Sequence, residues 1–187
     1  MRVIAGTAKG RPLVVPRGGG TRSATDRIRE TLFAILEPSL PGARVLDLFA
    51  GAGTLGIEAL SRGAAHATFV ERSSQALAAL RQNLKTTGFE GRSDIVPANV
   101  LVSLEQRLAS PYDLVFCDPP FADVAILESV LALLPAAGAL APDGLAVARV
   151  LKKHQPTLPE GARLARTKEL GEEALLFLRY DDPGGGG

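Results

Sequence analysis

The chain is nearly without cysteine and histidine, the residues of thiol redox chemistry and of most zinc sites. Cys117 is the single cysteine in 187 residues, which excludes an intrachain disulfide framework and a cysteine zinc cluster. His66 and His154 lie far apart with no metal-ligand spacing, so no metal site is expected. No apolar run approaches the ~18 residues needed to cross a bilayer. The N-terminus, MRVIAGTAKGR, lacks the apolar core of a secretory signal. No internal repeat is present. These absences point to a cytoplasmic, soluble domain, and no dimerisation signal argues against a monomer. The 46% hydrophobic content is enough for a core that buries roughly 70% of the unfolded chain's surface.

Net charge is also scarce, at +1, but it is unevenly placed. Residues 1–30 carry seven basic side chains, Arg2, Lys9, Arg11, Arg17, Arg22, Arg27 and Arg29, against Asp26 and Glu30. That segment is therefore +5 and the remainder −4. A basic arm on a near-neutral body suggests a polyanionic partner. A solvated charged face explains the same charges equally well.

Val3-Ile4-Ala5 and Leu13-Val14-Val15 read as two strands of a hairpin turned through Gly6 to Gly10. Residues 1–24 thus form a basic hairpin arm, and residues 25–180 a single domain. Thr25-Asp26 caps a helix to about Leu36, with Ile28, Leu32, Ile35 and Leu36 on one face. From Arg44 strands and helices alternate. Strands are predicted at 44–49, 66–71, 93–97, 113–117 and 144–150, with helices at 54–62, 73–86, 100–108 and 123–134. Such alternation gives a parallel sheet covered on both faces. Strands at 163–168 and 174–180 are too closely joined to be parallel, so they form an antiparallel pair. The tail, 181–187, is expected to be flexible.

Two motifs carry chemistry. The first runs from Asp47 to Gly56, DLFAGAGTLG, between a strand and a helix. Gly51, Gly53 and Gly56 let a ligand approach the backbone at a helix N-terminus. Glu71, ending the next strand, can accept from ribose hydroxyls. By itself this pattern also fits a dinucleotide. Asp47 opposes a pyrophosphate but suits a ligand carrying an ammonium and a sulfonium, so the expected cofactor is S-adenosylmethionine. Asp47, Gly51, Gly53 and Glu71 are expected to line its site.

The second motif is Asp118-Pro119-Pro120-Phe121, after the apolar strand Leu114 to Cys117. The prolines stiffen the turn and remove two amide donors. Asp118 and the Pro119 carbonyl can hold the two N–H bonds of an exocyclic amino group and aim its lone pair at a methyl donor. Phe121 can stack on a flipped base. Cys117 reads as a buried strand thiol and not a nucleophile.

These residues resemble the bacterial 16S rRNA guanine-N2 methyltransferases. The resemblance starts at Arg2-Val-Ile-Ala-Gly, passes through Gly10-Arg11-Pro-Leu and TRSATDRIRETLF at residues 21–33, and includes both motifs. It implies a Rossmann-like, mostly parallel seven-stranded methyltransferase sheet with an antiparallel strand and an N-terminal hairpin extension. It also implies 16S rRNA of the small ribosomal subunit as partner, met by Arg2, Lys9, Arg11, Arg22, Arg27 and Arg29. The resemblance further implies that Phe49, Ala50, Arg72, Asn99 and Val100 line the cofactor site; Ser23 replaces the usual proline, and Asn99 an aspartate that accepts from the adenine amino group. Adenine-N6 methyltransferases share both motifs and remain an alternative. A non-catalytic RNA-binding assembly factor is another. An NAD(P)-linked oxidoreductase leaves Asp118 to Phe121 unexplained.

Overall fold

The computed structural model describes residues 1–16, 25–106, 108, 111–120 and 123–181. Helix α1 (Asp26–Leu36) precedes β1 (Arg44–Leu48), α2 (Thr54–Ser61), β2 (His66–Val70), α3 (Ser74–Thr87) and β3 (Ser93–Val96). Then follow α4 (Val100–Glu105), β4 (Tyr112–Cys117), α5 (Val124–Ala136), β5 (Leu140–Leu151), β6 (Ala162–Leu170) and β7 (Glu173–Tyr180). The seven strands lie in the order β3-β2-β1-β4-β5-β7-β6. Strands β1 to β5 are parallel, and β7 runs antiparallel to both neighbours.

Strand side chains alternate between two cores, as a period of two dictates. Val45, Phe69, Leu114 and Phe116 pack with α1, α2 and α3. Leu46, Val70, Val115 and Cys117 pack with α4 and α5 on the other face. Because β1 has β2 on one side and β4 on the other, the strand order reverses there. Loops leaving the carboxyl ends of β1 and β4 diverge, which opens a crevice. Among the described residues, no helix is long and apolar enough to cross a membrane.

The expected N-terminal hairpin takes a different form. The chain does turn back, with Val3 N donating to the Arg11 carbonyl at 3.0 Å and Gly10 N to the Val3 carbonyl at 2.9 Å. Paired strands do not form, and the one bridge in residues 1–16 joins Arg2 to Pro12. The backbone spends its donors on α2 instead. Ile4 N and Ala5 N donate to the Glu58 carboxylate at 2.9 and 3.0 Å, and Ala8 N donates to Ser61 Oγ at 2.9 Å. This covering explains why all eight residues of α2 are buried. A helix buried on every side needs cover on its outer face as well as the sheet beneath.

Arg29 corrects a second expectation. Placed in the sequence among the RNA-facing arginines, it is fully buried in the structure. Its Nη2 donates to the Arg2 carbonyl and to Asp26, both at 2.8 Å, and its Nη1 lies 3.4 Å from Glu58. One turn into α1, it faces inward beneath the arm and has no surface to offer RNA. Arg2, Lys9, Arg11 and Arg27 are exposed. Arg22 and the tail from residue 182 lie outside the described residues.

Candidate active site

The crevice at the carboxyl ends of β1, β2 and β4 holds a cavity of about 390 Å³, within the range of small-molecule sites. Its floor is the turn after β1. Phe49 has φ of 61°, Gly51 56° and Gly53 80°. Left-handed backbone at Phe49 costs of order 1–3 kcal/mol, a strain that persists only where surroundings enforce it. The turn is fastened by Ala50 N donating to the Val70 carbonyl at 3.0 Å and Gly53 N to the Ala50 carbonyl at 2.8 Å. Gly53 then serves as N-cap of α2. At Gly56 a Cβ would overlap the Phe69 ring, so the third glycine sets how closely α2 approaches the sheet.

Three carboxylates converge on the cavity: Asp47, Glu71 and Asp118. Asp47 is 2% exposed, and its Oδ2 accepts from Gly56 N at 2.9 Å. Burial pushes its carboxyl well above the usual carboxylate range, opposed by the Gly56 hydrogen bond and reinforced by the neighbouring Asp118 and Glu71. Glu71 accepts from Gly51 N at 2.8 Å, and from Arg72 N and Ser73 N at 2.7 Å each. It therefore ties the glycine turn to the end of β2, a structural duty the sequence does not reveal. A carboxylate offers about four lone-pair sites, so one acceptor position is left for a ligand. Asn99 caps α4, its Oδ1 accepting from Leu101 N at 2.9 Å.

The cavity wall brings together Asp47, Phe49, Ala50, Gly51, Glu71, Arg72, Asn99, Val100 and Asp118. Gly53 and Pro119 do not line it. Gly53 shapes the turn from below, and Pro120 takes the place on the wall expected of the buried Pro119. Phe121 lies outside the described residues. Val15 and Pro16, at the end of the arm, reach the cavity as well. Asn83 makes this possible. Its amide accepts from Val14 N at 2.8 Å and donates to the carbonyls of Val14 and Ala52, both at 2.9 Å.

The donor set fits S-adenosylmethionine. Arg72 is the one basic residue on the described wall, against four acids counting Asp123. An acidic pocket repels a pyrophosphate and attracts an ammonium and a sulfonium. Val70, Val100, Leu101 and Ile126 supply apolar walls for an adenine ring. A Cβ on Gly51 would stand in open space, so glycine there leaves the cavity clear.

Asp118 follows the last residue of β4 and is held by a residue absent from the sequence reading. Arg149 Nε donates to its Oδ1 at 2.7 Å and Nη2 to its Oδ2 at 3.1 Å. The available signal was a lone arginine in the apolar run Leu145 to Leu151. Cys117 is buried beside it. Burial, then the charges of Asp47 and Asp118, push its thiol up, which makes it a poor nucleophile.

This geometry has relatives. The family described as Conserved hypothetical protein 95 matches residues 1–179. The chain belongs to this family. It is 41% identical over 185 residues to ribosomal RNA small subunit methyltransferase D of Escherichia coli (strain K12), covering 98% of this chain and 92% of that protein. Identity to the Haemophilus influenzae protein of the same name is 36% over 173 residues, 91% of this chain and 89% of the other. The solved structure of yhhF from Escherichia coli superposes with a TM-score of 0.86 at 37% identity, covering 97% and 98% of the two chains. The fold is that of the S-adenosylmethionine-dependent methyltransferases.

Proposed function

We propose that this protein transfers a methyl group from S-adenosylmethionine to the exocyclic N2 of a guanine in 16S rRNA. The observation that carries the reading is Asp118, an acceptor at the edge of an acid-lined cavity, in a chain whose relatives are named as small-subunit rRNA methyltransferases. The cofactor, when bound, supplies an already activated methyl group, so the protein's task is positioning. Asp47 holds the ammonium end and Glu71 the ribose hydroxyls, while Val100 and Asn99 flank the adenine. At the acceptor side, Asp118 takes one N–H bond of the guanine amino group and a carbonyl of the proline turn takes the other, where the wall position of Pro120 favours it over the buried Pro119. Its delocalised lone pair is thereby turned toward the methyl. Phe121 stacks on the base. Arg2, Lys9, Arg11, Arg22 and Arg27 meet rRNA phosphates.

The test is transfer of labelled methyl to small subunits purified from cells lacking the modification, followed by nucleoside analysis. N2-methylguanosine is the expected product. N6-methyladenosine would move the specificity to adenine. Cofactor and RNA binding without label transfer would make the protein a non-catalytic assembly factor.

A further inference from the structure

Arg149 sits on β5 where the strand pairs with β7, opposite Leu175. Its side chain is 5% exposed. Two of its donors fork onto Asp118, and Nη1 donates to Glu173 Oε2 at 3.2 Å. The guanidinium thus stands between a carboxylate at the end of β4 and one at the start of β7. We propose that Arg149 is a positioning residue for methyl transfer: it fixes the plane of the Asp118 carboxylate and favours its charged form, with Glu173 as its opposing partner. This rests on the reading that Asp118 accepts from the guanine amino group.

A forked arginine–carboxylate pair is planar and geometrically specific. Each Asp118 oxygen gives one lone pair to Arg149 and keeps another in the same plane. The substrate amino group therefore meets an acceptor of fixed direction, where an unpaired carboxylate would rotate. The charge state is balanced by several groups. Burial pushes the Asp118 carboxyl up, the charge and hydrogen bonds of Arg149 pull it part of the way back, and Glu173 pushes it up again, so the net shift is upward. Asp47 and Cys117 stand close enough to be shifted by Asp118 themselves, and Asp123 lines the same cavity from the start of α5. A neutral Asp118 carboxyl would lose acceptor capacity and carry a proton where the substrate brings its own.

A brace between strand ends would make the same contacts, but it predicts only lost stability. The positioning role predicts opposite movements of one titration. Removing Arg149 raises the pH at which Asp118 becomes charged, and neutralising Glu173 lowers it.

The experiment is single-turnover methylation of small subunits at saturating cofactor, measured across the acid limb of the pH profile. Arg149→Met is expected to move that limb upward by about one pH unit or more, with cofactor affinity within about twofold of the parent. Arg149→Lys should restore part of the shift, since it returns charge without the fork. Glu173→Gln should move the limb downward. Should Arg149→Met fail to fold, Glu173→Gln decides alone, and a limb that stays put or rises there overturns the proposal. Unmoved limbs in both folded variants overturn it too. Asp118→Ala at the parent rate would instead remove the underlying reading of Asp118. A slow Asp118→Ala with unmoved limbs removes only the role of Arg149.

Discussion

Asp47 stands in the cavity at a cost to the empty protein. Its carboxyl is pushed above its unfolded value chiefly by burial. Such a group binds its proton more tightly when folded, so stability present at low pH is lost as pH rises through the raised folded value. Asp47→Asn removes the titration, and its amide oxygen can still accept from Gly56 N. The variant without cofactor is expected to melt at or above the parent temperature near neutral pH, with a flatter pH dependence, yet to bind S-adenosylmethionine at least about tenfold more weakly. Melting curves across pH, paired with calorimetric titration, check both halves. A parent-like affinity would remove Asp47 from the cofactor's ammonium end. Glu71 should behave differently. Its three backbone partners mean that Glu71→Ala loses stability, by about 1–3 kcal/mol, along with cofactor affinity. A normal melt with weakened binding would show that the glycine turn holds without it.

At the scale of elements, the arm and α2 act as one unit. Gly6 has φ of 82°, and a Cβ there would overlap the Ser61 carbonyl. Gly6→Ala should therefore lift residues 3–8 from α2, read as faster amide exchange in those residues and in α2 than in β1 or β4. Equal protection in all of them would show the arm is not held at this point. Glu58→Gln should be harsher, at about 3–5 kcal/mol by denaturant melt, because Arg29 stays buried with weakened partners. The helices and parallel strands were legible because periodicity is local: α2, α3, β1, β2 and β4 fall within a residue or so of their predicted ends. The arm was misread because its donors find side chains 53 to 69 residues away, and no local pattern encodes such a partner. Arg29 was misread for the same reason: its charge is visible in the sequence, and the carboxylate that buries it is not. In the site, the glycine turn and the three acids were legible from spacing. Asn83 and Arg149 were not, since each acts through residues distant in sequence. Strand β5 starts at Leu140 rather than 144, reaching back across Pro142 and Asp143.

For the whole molecule, the uneven charge decides how it should meet RNA. With Arg29 neutralised internally, the exposed arm presents Arg2, Lys9, Arg11 and Arg27 from the described residues. Replacing Lys9, Arg11 and Arg27 with alanine is expected to weaken rRNA binding and flatten its dependence on salt. Each lost phosphate contact should lower the logarithmic slope by roughly 0.7–0.9. Filter binding over a salt series gives the slope, and an unchanged slope would place the RNA elsewhere on the surface. The strand order has a further consequence, one of timing. Strand β7 is made after β6 yet lies inside it, between β5 and β6. As a ribosome delivers the chain, β5 waits with a bare edge until residues 173–180 emerge, and a bare edge invites pairing with another chain. Glu173 opens that last strand, so Arg149 gains its second carboxylate in the same step that closes the sheet. A copy halted at Leu170 would lack Glu173 as the second carboxylate on Arg149, and its bare β5 edge would stay open to pairing with another chain.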